Sequence, residues 1–399
     1  MKILLISRFN VPNIGDLAIS NIMYELLSKD AEVDCFNLFG EPFVRKDINN
    51  INSVTPISKF NHSILNNKIF GKHIKNAIKT VKNRSKISSV KTLESIIDNY
   101  DGVILAGGNM MMSLDDNYDT IKKISEYVDI VKEKKKFLYF LSIGIGPFHT
   151  KEHAQLAVNT LKRADYISFR DYASQNLYIN SGGDVSNSYL TVDPVFYYEN
   201  ENLANINNHK ENKIIAINVL DTSLIGLNTE EYNNNIKSYQ KIVNSLLNDK
   251  NIDWDIILFS TSLEDNKAVK DVYKIFESNL KVDNLLINGL DDLYKLYKNI
   301  DILLGTRMHS MIIAYTFLVP IIGLSWQTKI DEFFSIIDQP DDYFDLLNFE
   351  DNVEEILDII SYKIKHRDAI QQDMLLKLVE IRESGKDDSL VFNDNYDCI

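Results

Sequence analysis

Short apolar segments recur along the chain, and most of them end in a glycine or a polar residue that precedes a helical pattern. The first half contains KILLIS, DGVILAGG, FLYFLSIGIG and DYISFRD, and the second half contains KIIAINVL, WDIILFST, DILLGT and PIIGLSW. Runs rich in Ile, Leu and Val that alternate with helices are typical of parallel strands joined by crossover helices. The pattern therefore predicts the α/β fold class.

A polar, asparagine-rich segment, YYENENLANINNHKENK, separates the two halves. A chain of 399 residues is also too long for one ordinary core. We predict two Rossmann-like domains, at 1–198 and 211–350, followed by a helical segment and tail at 351–399. Because ligands of parallel sheets bind at the carboxyl ends of the strands, we expect a cleft between the domains to hold the site.

Composition argues against several classes of function. The net charge of −14 argues against a nucleic-acid partner, because phosphate binding needs a basic surface. The two cysteines, Cys35 and Cys398, form no CxxC pair and no metal-ligand pattern, and their scarcity suits a reducing cytoplasm. No apolar run approaches the roughly 20 residues that span a bilayer. We expect a cytoplasmic protein that uses neither a metal nor a bound cofactor.

One part of this acidic chain is basic. No acidic residue occurs between Asp47 and Glu94, and lysines in the stretch 59–91 recur at helical spacing, at positions 68, 72, 75, 79 and 82. Such lysines share one face of a helix. Two interpretations stay open: a solvated helix, or peripheral contact with an anionic membrane.

The strongest local signal is DILLGTRMHSMIIAYTF, a strand followed directly by a helix. We predict Thr306 as the N-cap, which places Arg307 and His309 in the first helical turn. That turn attracts anions, because its N–H groups are free and the helix dipole is positive there. Arg307 adds a cationic fork, and His309 is suited to proton transfer near neutral pH. The alternative is that both residues are exposed on a surface helix and have no role in ligand binding.

Other candidate residues follow other predicted strands. The turn FNVPNIGDLAI offers Asn13, Gly15 and Asp16, where Asp16 is either a helix cap or a catalytic carboxylate. The glycines Gly107, Gly108 and Gly144 suggest close backbone approach to a ligand, although glycines also make ordinary turns.

Four further candidates, three charged residues and one tryptophan, lie elsewhere in the chain. Arg170 is a possible anion ligand, with a structural pairing to Asp171 as the alternative. Asp193 precedes a proline and favours a simple turn. Asp265 either faces the cleft or caps the next helix, and the cap is the commoner role. Trp326 either closes the core or stacks on a sugar, and the core role is the commoner one.

Together these blocks resemble the polysaccharide pyruvyl transferase family. The matching blocks are NxGD, DxVIxxGG, GxGP, SxRD, DPxF and GxRxHS, followed by a Pro-led strand and a lysine, in this order from Ile3 to about Phe334. The usual glycine triplet of the family reads Ala106-Gly107-Gly108 here. The blocks also contain Ser310 and Lys329, and Asn109 directly follows the DxVIxxGG block; we include all three as substrate-binding candidates.

The resemblance implies a GT-B-like fold and transfer of a pyruvyl group from phosphoenolpyruvate to a sugar, with formation of a cyclic ketal. The family's motif residues fall on Arg307, His309 and Arg170. We assign His309 as the general acid, Arg307 and Arg170 as donor ligands, and Asp16 as a candidate for activating a hydroxyl. The acceptor would belong to a cell-surface polysaccharide or its lipid-linked precursor. A lipid-linked acceptor would bring the protein to the inner face of the membrane.

Two rival functions are consistent with the same sequence. A GT-B-type glycosyltransferase would use Arg307 and its helix to bind the diphosphate of a nucleotide sugar. A non-catalytic sensor or scaffold would bind an anionic metabolite without turnover. A pyruvyl transferase would consume phosphoenolpyruvate and a glycosyltransferase would consume a nucleotide sugar. A sensor or scaffold would bind its ligand and consume neither.

Overall fold

The computed structural model describes residues 1–9, 13–38, 89–198 and 212–385. These residues form two compact units. Among them, the first unit comprises 1–9, 16–38, 89–194 and 384–385, and the second comprises 13–15, 195–198 and 212–383. The predicted interdomain linker and nearly all of the basic stretch 59–91 lie outside the described residues.

The first unit is built on a seven-stranded sheet in the order β2-β1-β3-β5-β6-β7, with β4 paired to β5. All of its strand pairs are parallel. The strands are β1 (Lys2–Ser7), β2 (Glu32–Asn37), β3 (Gly102–Ala106), β4 (Asn109–Ser113), β5 (Phe137–Phe148), β6 (Tyr166–Phe169) and β7 (Tyr189–Leu190).

Helices connect these strands, because neighbouring parallel strands need long crossovers. They are α1 (Ile14–Leu27), α2 (89–96), α3 (Asp119–Glu133), α4 (Lys151–Leu161) and α5 (Tyr172–Asn180). All five residues of β3 are buried. Burial on both faces explains why this strand is a continuous apolar run rather than an alternating one.

The second unit contains a six-stranded sheet in the order β10-β9-β8-β11-β12-β13, again with every pair parallel. Its strands are β8 (Lys213–Asn218), β9 (Trp254–Phe259), β10 (Val282–Leu285), β11 (Ile302–Gly305), β12 (Ile321–Ser325) and β13 (Tyr343–Asp345). Its helices are α6 (Thr229–Leu247), α7 (Asn266–Tyr273), α8 (Leu290–Tyr297), α9 (Met308–Thr316), α10 (Thr328–Ile336), α11 (Val353–Lys365) and α12 (Arg367–Ser384).

Each unit has its own hydrophobic core. The core of the second unit includes the fully buried Trp254 and Tyr239, and α11 packs into it through Ile356 and Ile360. The prediction of an α/β protein with two Rossmann-like sheets and a helical C-terminal segment is confirmed. Within the ranges that the structure describes, no helix is both long and apolar enough to cross a membrane.

Candidate functional site

The start of α9 differs slightly from the sequence prediction. Arg307, with extended backbone, is the N-cap residue, and the helix runs from Met308. The prediction of Thr306 as the cap is wrong, because its hydroxyl donates a 2.7 Å hydrogen bond to the carbonyl of Asn218 and is buried. His309 does lie in the first turn. Arg307 precedes that turn, so its guanidinium extends from the helix end.

A buried carboxylate holds the Arg307 guanidinium in place. Asp265 is fully buried, and its two oxygens accept hydrogen bonds from Arg307 Nε and Nη2, both at 2.9 Å. Asp265 also accepts a 3.0 Å hydrogen bond from the backbone N–H of Asp221. Asp265 stands at the N-cap position of α7, as predicted, but its side chain makes no capping hydrogen bond there. A two-point pair of this kind fixes the plane of the guanidinium.

Two further residues support Arg307. Asn218 at the end of β8 is buried, and its Oδ1 accepts a 3.1 Å hydrogen bond from the Arg307 backbone N–H. The guanidinium carbon lies 5.8 Å from the centre of the Trp326 ring. Trp326 in turn donates from its indole nitrogen to the Thr306 carbonyl at 3.0 Å and packs on the core. The expected core role of Trp326 is therefore observed, next to Arg307.

His309 packs directly on Gly15. A Cβ added to Gly15 would lie 2.5 Å from His309 Nδ1 and 2.6 Å from its Cβ, which only glycine avoids. Asn13 shapes this turn, because its side chain accepts a 2.9 Å hydrogen bond from the Gly15 N–H and its backbone bridges to Ser262. Asn13 and Gly15 of the NxGD block thus lie beside the RxH block within the second unit. We call Arg307, His309, Gly15, Asn13 and Asp265 the α9 cluster.

Ser310 and Lys329, two further predicted substrate-binding residues, also belong to the second unit. Ser310 is buried, and its hydroxyl pairs with that of Tyr297 at 2.6 Å. Burial raises the pKa of Tyr297, with the Ser310 hydrogen bond opposing the shift. Ser310 therefore faces the core. Lys329 is the second residue of α10 and half-buried.

In the first unit, Arg170 lies in a buried ionic group. It donates from Nη1 to Asp193 at 2.7 Å, and its Nε lies 3.6 Å from Asp171. The Arg170 side chain is only 4% exposed. Asp193 was predicted to form a simple turn, and the structure instead gives its carboxylate a partner. A Cβ on Gly144 would lie 3.1 Å from Arg170 Nε, so this strand residue borders the guanidinium.

A second arginine, Arg8, organises the remaining candidates of the first unit. It donates to Asp16 Oδ2 at 3.1 Å and to the Asn109 carbonyl at 3.3 Å. Asp16 also borders Gly108, whose added Cβ would lie 3.4 Å from its Oδ1. Gly108 accepts a 2.8 Å hydrogen bond from the Gly144 N–H. These contacts connect the candidates of the first unit into one group at the ends of β1, β3 and β6.

Gly107 has a local structural explanation. Its φ is +65°, and an added Cβ would lie 1.9 Å from Ile19 Cγ2 of α1. The glycine is therefore needed for the backbone turn and for the close approach of α1, with no ligand required.

Two residues that contact the candidates were missed from the sequence, Arg8 and Asn218. Each stands at the end of a buried strand, Arg8 directly after β1 and Asn218 as the last residue of β8. That position was the available signal. Their partners, Asp16 and the backbone of Arg307, are distant in the sequence, and only the folded sheet brings them together.

Solved structures define the class of fold. UDP-GlcNAc 2-epimerase from Methanocaldococcus jannaschii aligns with a TM-score of 0.57 at 14% identity, covering 90% of this chain and 92% of that one. The Neisseria meningitidis UDP-GlcNAc 2-epimerase, solved bound to UDP-GlcNAc, gives 0.56 at 12% identity over 99% and 100%. Anabaena HepE, solved in complex with UDP and glucose, gives 0.54 at 11% over 99% and 100%. The chain therefore has a GT-B-like fold.

The sequence profile of the polysaccharide pyruvyl transferase family matches residues 13–328. The chain belongs to this family, as the sequence blocks indicated. The match begins at Asn13 of the α9 cluster, and Lys329 lies one residue beyond its end. No curated protein matches the chain by sequence.

Proposed function

We propose that this transferase moves a pyruvyl group from phosphoenolpyruvate to two hydroxyls of one sugar, which forms a cyclic ketal and releases phosphate. The observation that carries the proposal is the α9 cluster. An arginine fixed by a buried carboxylate lies two residues before a histidine, at the positive end of a helix. Both residues belong to a block of the family and lie within the matched range.

The α9 cluster suits a donor that carries a carboxylate and a phosphate on adjacent groups. Arginine has five N–H bonds, and Asp265 occupies two of them, so three can bind anionic oxygens. Asp265 neutralises part of the Arg307 charge. It also holds the guanidinium in one plane, so little rotamer freedom is lost when a ligand binds. The first N–H groups of α9 supply further donors.

The histidine supplies the proton that this reaction needs. In the proposed mechanism His309 protonates the C3 methylene of phosphoenolpyruvate, and C2 becomes electrophilic. A sugar hydroxyl adds to C2, the C2–O bond to phosphate breaks, and a neighbouring hydroxyl then adds to C2. One hydroxyl proton restores His309, and the other leaves with phosphate. The contact with Gly15 fixes the imidazole, which a general acid requires.

The residues of the first unit enter the proposal in different ways. Asp16 keeps its proposed role in activating a hydroxyl, because Arg8 pairs with its Oδ2 and, among the described residues, no hydrogen bond to its Oδ1 is seen. Arg170 is deeply buried between Asp193 and Asp171, which supports a role in positioning Gly144 and its neighbours over direct binding of the donor. We propose a sugar of a cell-surface polysaccharide or its lipid-linked precursor as acceptor.

The test is turnover of phosphoenolpyruvate by the purified full-length chain with a panel of sugar acceptors. Phosphate release and the mass gain of a pyruvyl ketal are both expected. His309→Ala should abolish product while the far-ultraviolet circular dichroism spectrum stays unchanged. His366→Ala is the matched control, because His366 is exposed beside Tyr362 on α11. Full turnover by His309→Ala would refute the assignment.

A nucleotide-sugar donor is the competing function. The structural relatives are solved with UDP or UDP-sugars, and a helix N-terminus with an arginine also suits a diphosphate. Parallel incubations with UDP-sugars and with phosphoenolpyruvate separate the two. Consumption of a UDP-sugar without consumption of phosphoenolpyruvate would replace the proposed donor.

A further inference from the structure

Trp326 stands between two elements of the second unit that hold its backbone in place. Strand β12 ends at Ser325, and Gln327 is the N-cap residue of α10. The Trp326 ring is partly buried and packs against the hydrophobic core. Its indole N–H donates a 3.0 Å hydrogen bond to the Thr306 carbonyl. The backbone, the packing and the hydrogen bond together leave the ring little freedom to rotate.

This fixed ring lies against the Arg307 guanidinium. The guanidinium carbon is 5.8 Å from the ring centre, which is within the distance at which an aromatic ring attracts a cation. Asp265 binds the same guanidinium through Nε and Nη2. Two contacts of different kinds, a carboxylate and an aromatic ring, therefore hold the charged end of Arg307.

The remaining part of the guanidinium is open. Among the described residues, Arg307 Nη1 makes no hydrogen bond, and the side chain is 24% exposed. The N–H bonds of Nη1 and Nη2 that point away from Asp265 form a fork. Such a fork matches two oxygens of one carboxylate or phosphate group. The contacts with Asp265 and Trp326 therefore determine the direction in which this fork points.

Holding an arginine in place before its ligand arrives strengthens binding. A long side chain loses rotamer entropy when it binds an anion, and restraint in the free protein removes part of that cost. Asp265 restrains Arg307 but also neutralises part of its charge. The indole of Trp326 is neutral, so it adds restraint and leaves the positive charge available to a ligand.

We propose that Trp326 is a positioning residue for donor binding, which acts through Arg307. The inference rests on the proposed function, because it needs an anionic donor at the α9 cluster. A residue of this kind changes the affinity for the donor and leaves the chemical step, which depends on His309, nearly unchanged. A tryptophan that only fills the core would change stability and leave donor affinity as it is.

Kinetics of the full-length chain test this with two substitutions that differ in aromaticity. Trp326→Leu removes the ring and should raise the KM for phosphoenolpyruvate about five- to tenfold, with less than about a twofold change in kcat. Trp326→Phe also lacks the indole N–H but keeps an aromatic face, so its KM should stay within about twofold of the wild-type value. A wild-type KM in Trp326→Leu, or a KM raised equally by both substitutions, would overturn the proposal.

Trp254→Phe is the matched control for lost packing. Trp254 is the other tryptophan of the chain, belongs to the same core and is fully buried. It is the first residue of β9, whereas Arg307 follows the carboxyl end of β11, a parallel strand of the same sheet. The two residues therefore lie at opposite edges of that sheet. Trp254→Phe should lower the melting temperature and leave the KM unchanged. A KM increase as large as that of Trp326→Leu would show a general effect of core packing and contradict the positioning role.

Direct binding separates this inference from the proposed function. In Trp254→Phe, Trp326 is the one remaining tryptophan, and its fluorescence emission should change during titration with phosphoenolpyruvate, because the ligand alters the charge beside the indole. Isothermal titration calorimetry measures the same binding independently. Binding without a change in Trp326 emission would overturn the inference and leave the proposed function standing. Absence of phosphoenolpyruvate binding would overturn both.

Discussion

At the scale of single residues, the side chain that matters most for Arg307 is one that the sequence assigned to a different role. Asp265 looks like a helix cap, because it stands at the start of α7. It pairs with Arg307 because β9 and β11 are parallel strands of one sheet, so their carboxyl ends lie at the same edge of that sheet. No sequence pattern near Asp265 reveals this arrangement. Family blocks located Arg307 and His309, but not the carboxylate that orients Arg307.

We predict that Asp265→Asn destabilises the protein by about 1–3 kcal/mol, because it removes a charged partner from Arg307 in a buried pair. Arg307 is 24% exposed and keeps some contact with water, which limits the cost. Chemical denaturation measures the change, and Glu264→Gln, at the exposed neighbouring residue, should have no effect. The KM for phosphoenolpyruvate should rise. An unchanged stability and KM would show that Arg307 does not depend on Asp265.

Lys363 allows a prediction about pH. Burial lowers its pKa below the ordinary 10.5, even though Asp342 raises it. Below that lowered pKa both the folded and the unfolded chain are protonated, and the buried charge opposes folding. Between the lowered pKa and 10.5 the unfolded chain holds more protons, so stability rises with pH through this window.

Lys363→Met should therefore be more stable than the wild type at pH 7, with the difference shrinking as the pH approaches 10.5. Urea unfolding at several pH values gives the difference directly. Lys365→Met, at an exposed position of the same helix, should show no such pH-dependent difference. A stability difference that grows with pH would contradict the assigned direction of the pKa shift.

At the scale of elements, the sequence predicted the strands that are buried and uninterrupted, such as β1, β3 and β8. It did not single out β2 or β4. Strand β2 contains Glu32 and Asp34, which pair with Lys2 of the adjacent strand and so interrupt its apolar pattern. Strand β4 begins immediately after Gly107-Gly108, where the glycines indicated a loop. Short strands whose partners are distant carry little periodic signal.

The contact between Gly15 and His309 within the second unit gives a prediction in which two effects have opposite signs. In an ordinary helix, Gly→Ala stabilises by about 0.5–1 kcal/mol. At Gly15 the new methyl would lie 2.5–2.6 Å from His309, including its Cβ, so the histidine or the turn must move. We expect Gly15→Ala to lower both stability and kcat, measured by denaturation and by phosphate release. Increased stability with full activity would show that this contact is not required.

At the scale of the whole molecule, the order of segments in the chain is not the order of the compact units. Residues 13–15 belong to the second unit, although they lie within the first half of the sequence, and residues 384–385, which follow Glu383, belong to the first unit. Linear domain boundaries such as 1–198 and 211–350 cannot express this. Composition can mark a polar linker, but it carries no information about which sheet a four-residue turn packs against.

Arg382 of α12 connects two parts of the second unit that are distant in the sequence, and its contribution can be tested. Arg382 donates from Nε to the Phe196 carbonyl and from Nη2 to the Tyr198 carbonyl, both at 2.7 Å, so the end of α12 is bonded to residues 196–198 of the same unit. Hydrogen bonds from a charged donor contribute about 1.5–3 kcal/mol each when intact, and water replaces part of this on removal.

We therefore expect Arg382→Ala to lower the free energy of unfolding by about 2–3 kcal/mol. For a unit of this size the melting temperature falls by roughly 2–4 °C for each kcal/mol. Arg163→Ala is the matched control, because Arg163 is half-buried and pairs with the exposed carboxylate of Asp129, a surface ion pair that contributes little to stability. Equal melting temperatures for Arg382→Ala and the control would contradict the prediction. They would mean that hydrogen bonds from water to the two carbonyls stabilise the fold as much as those from Arg382.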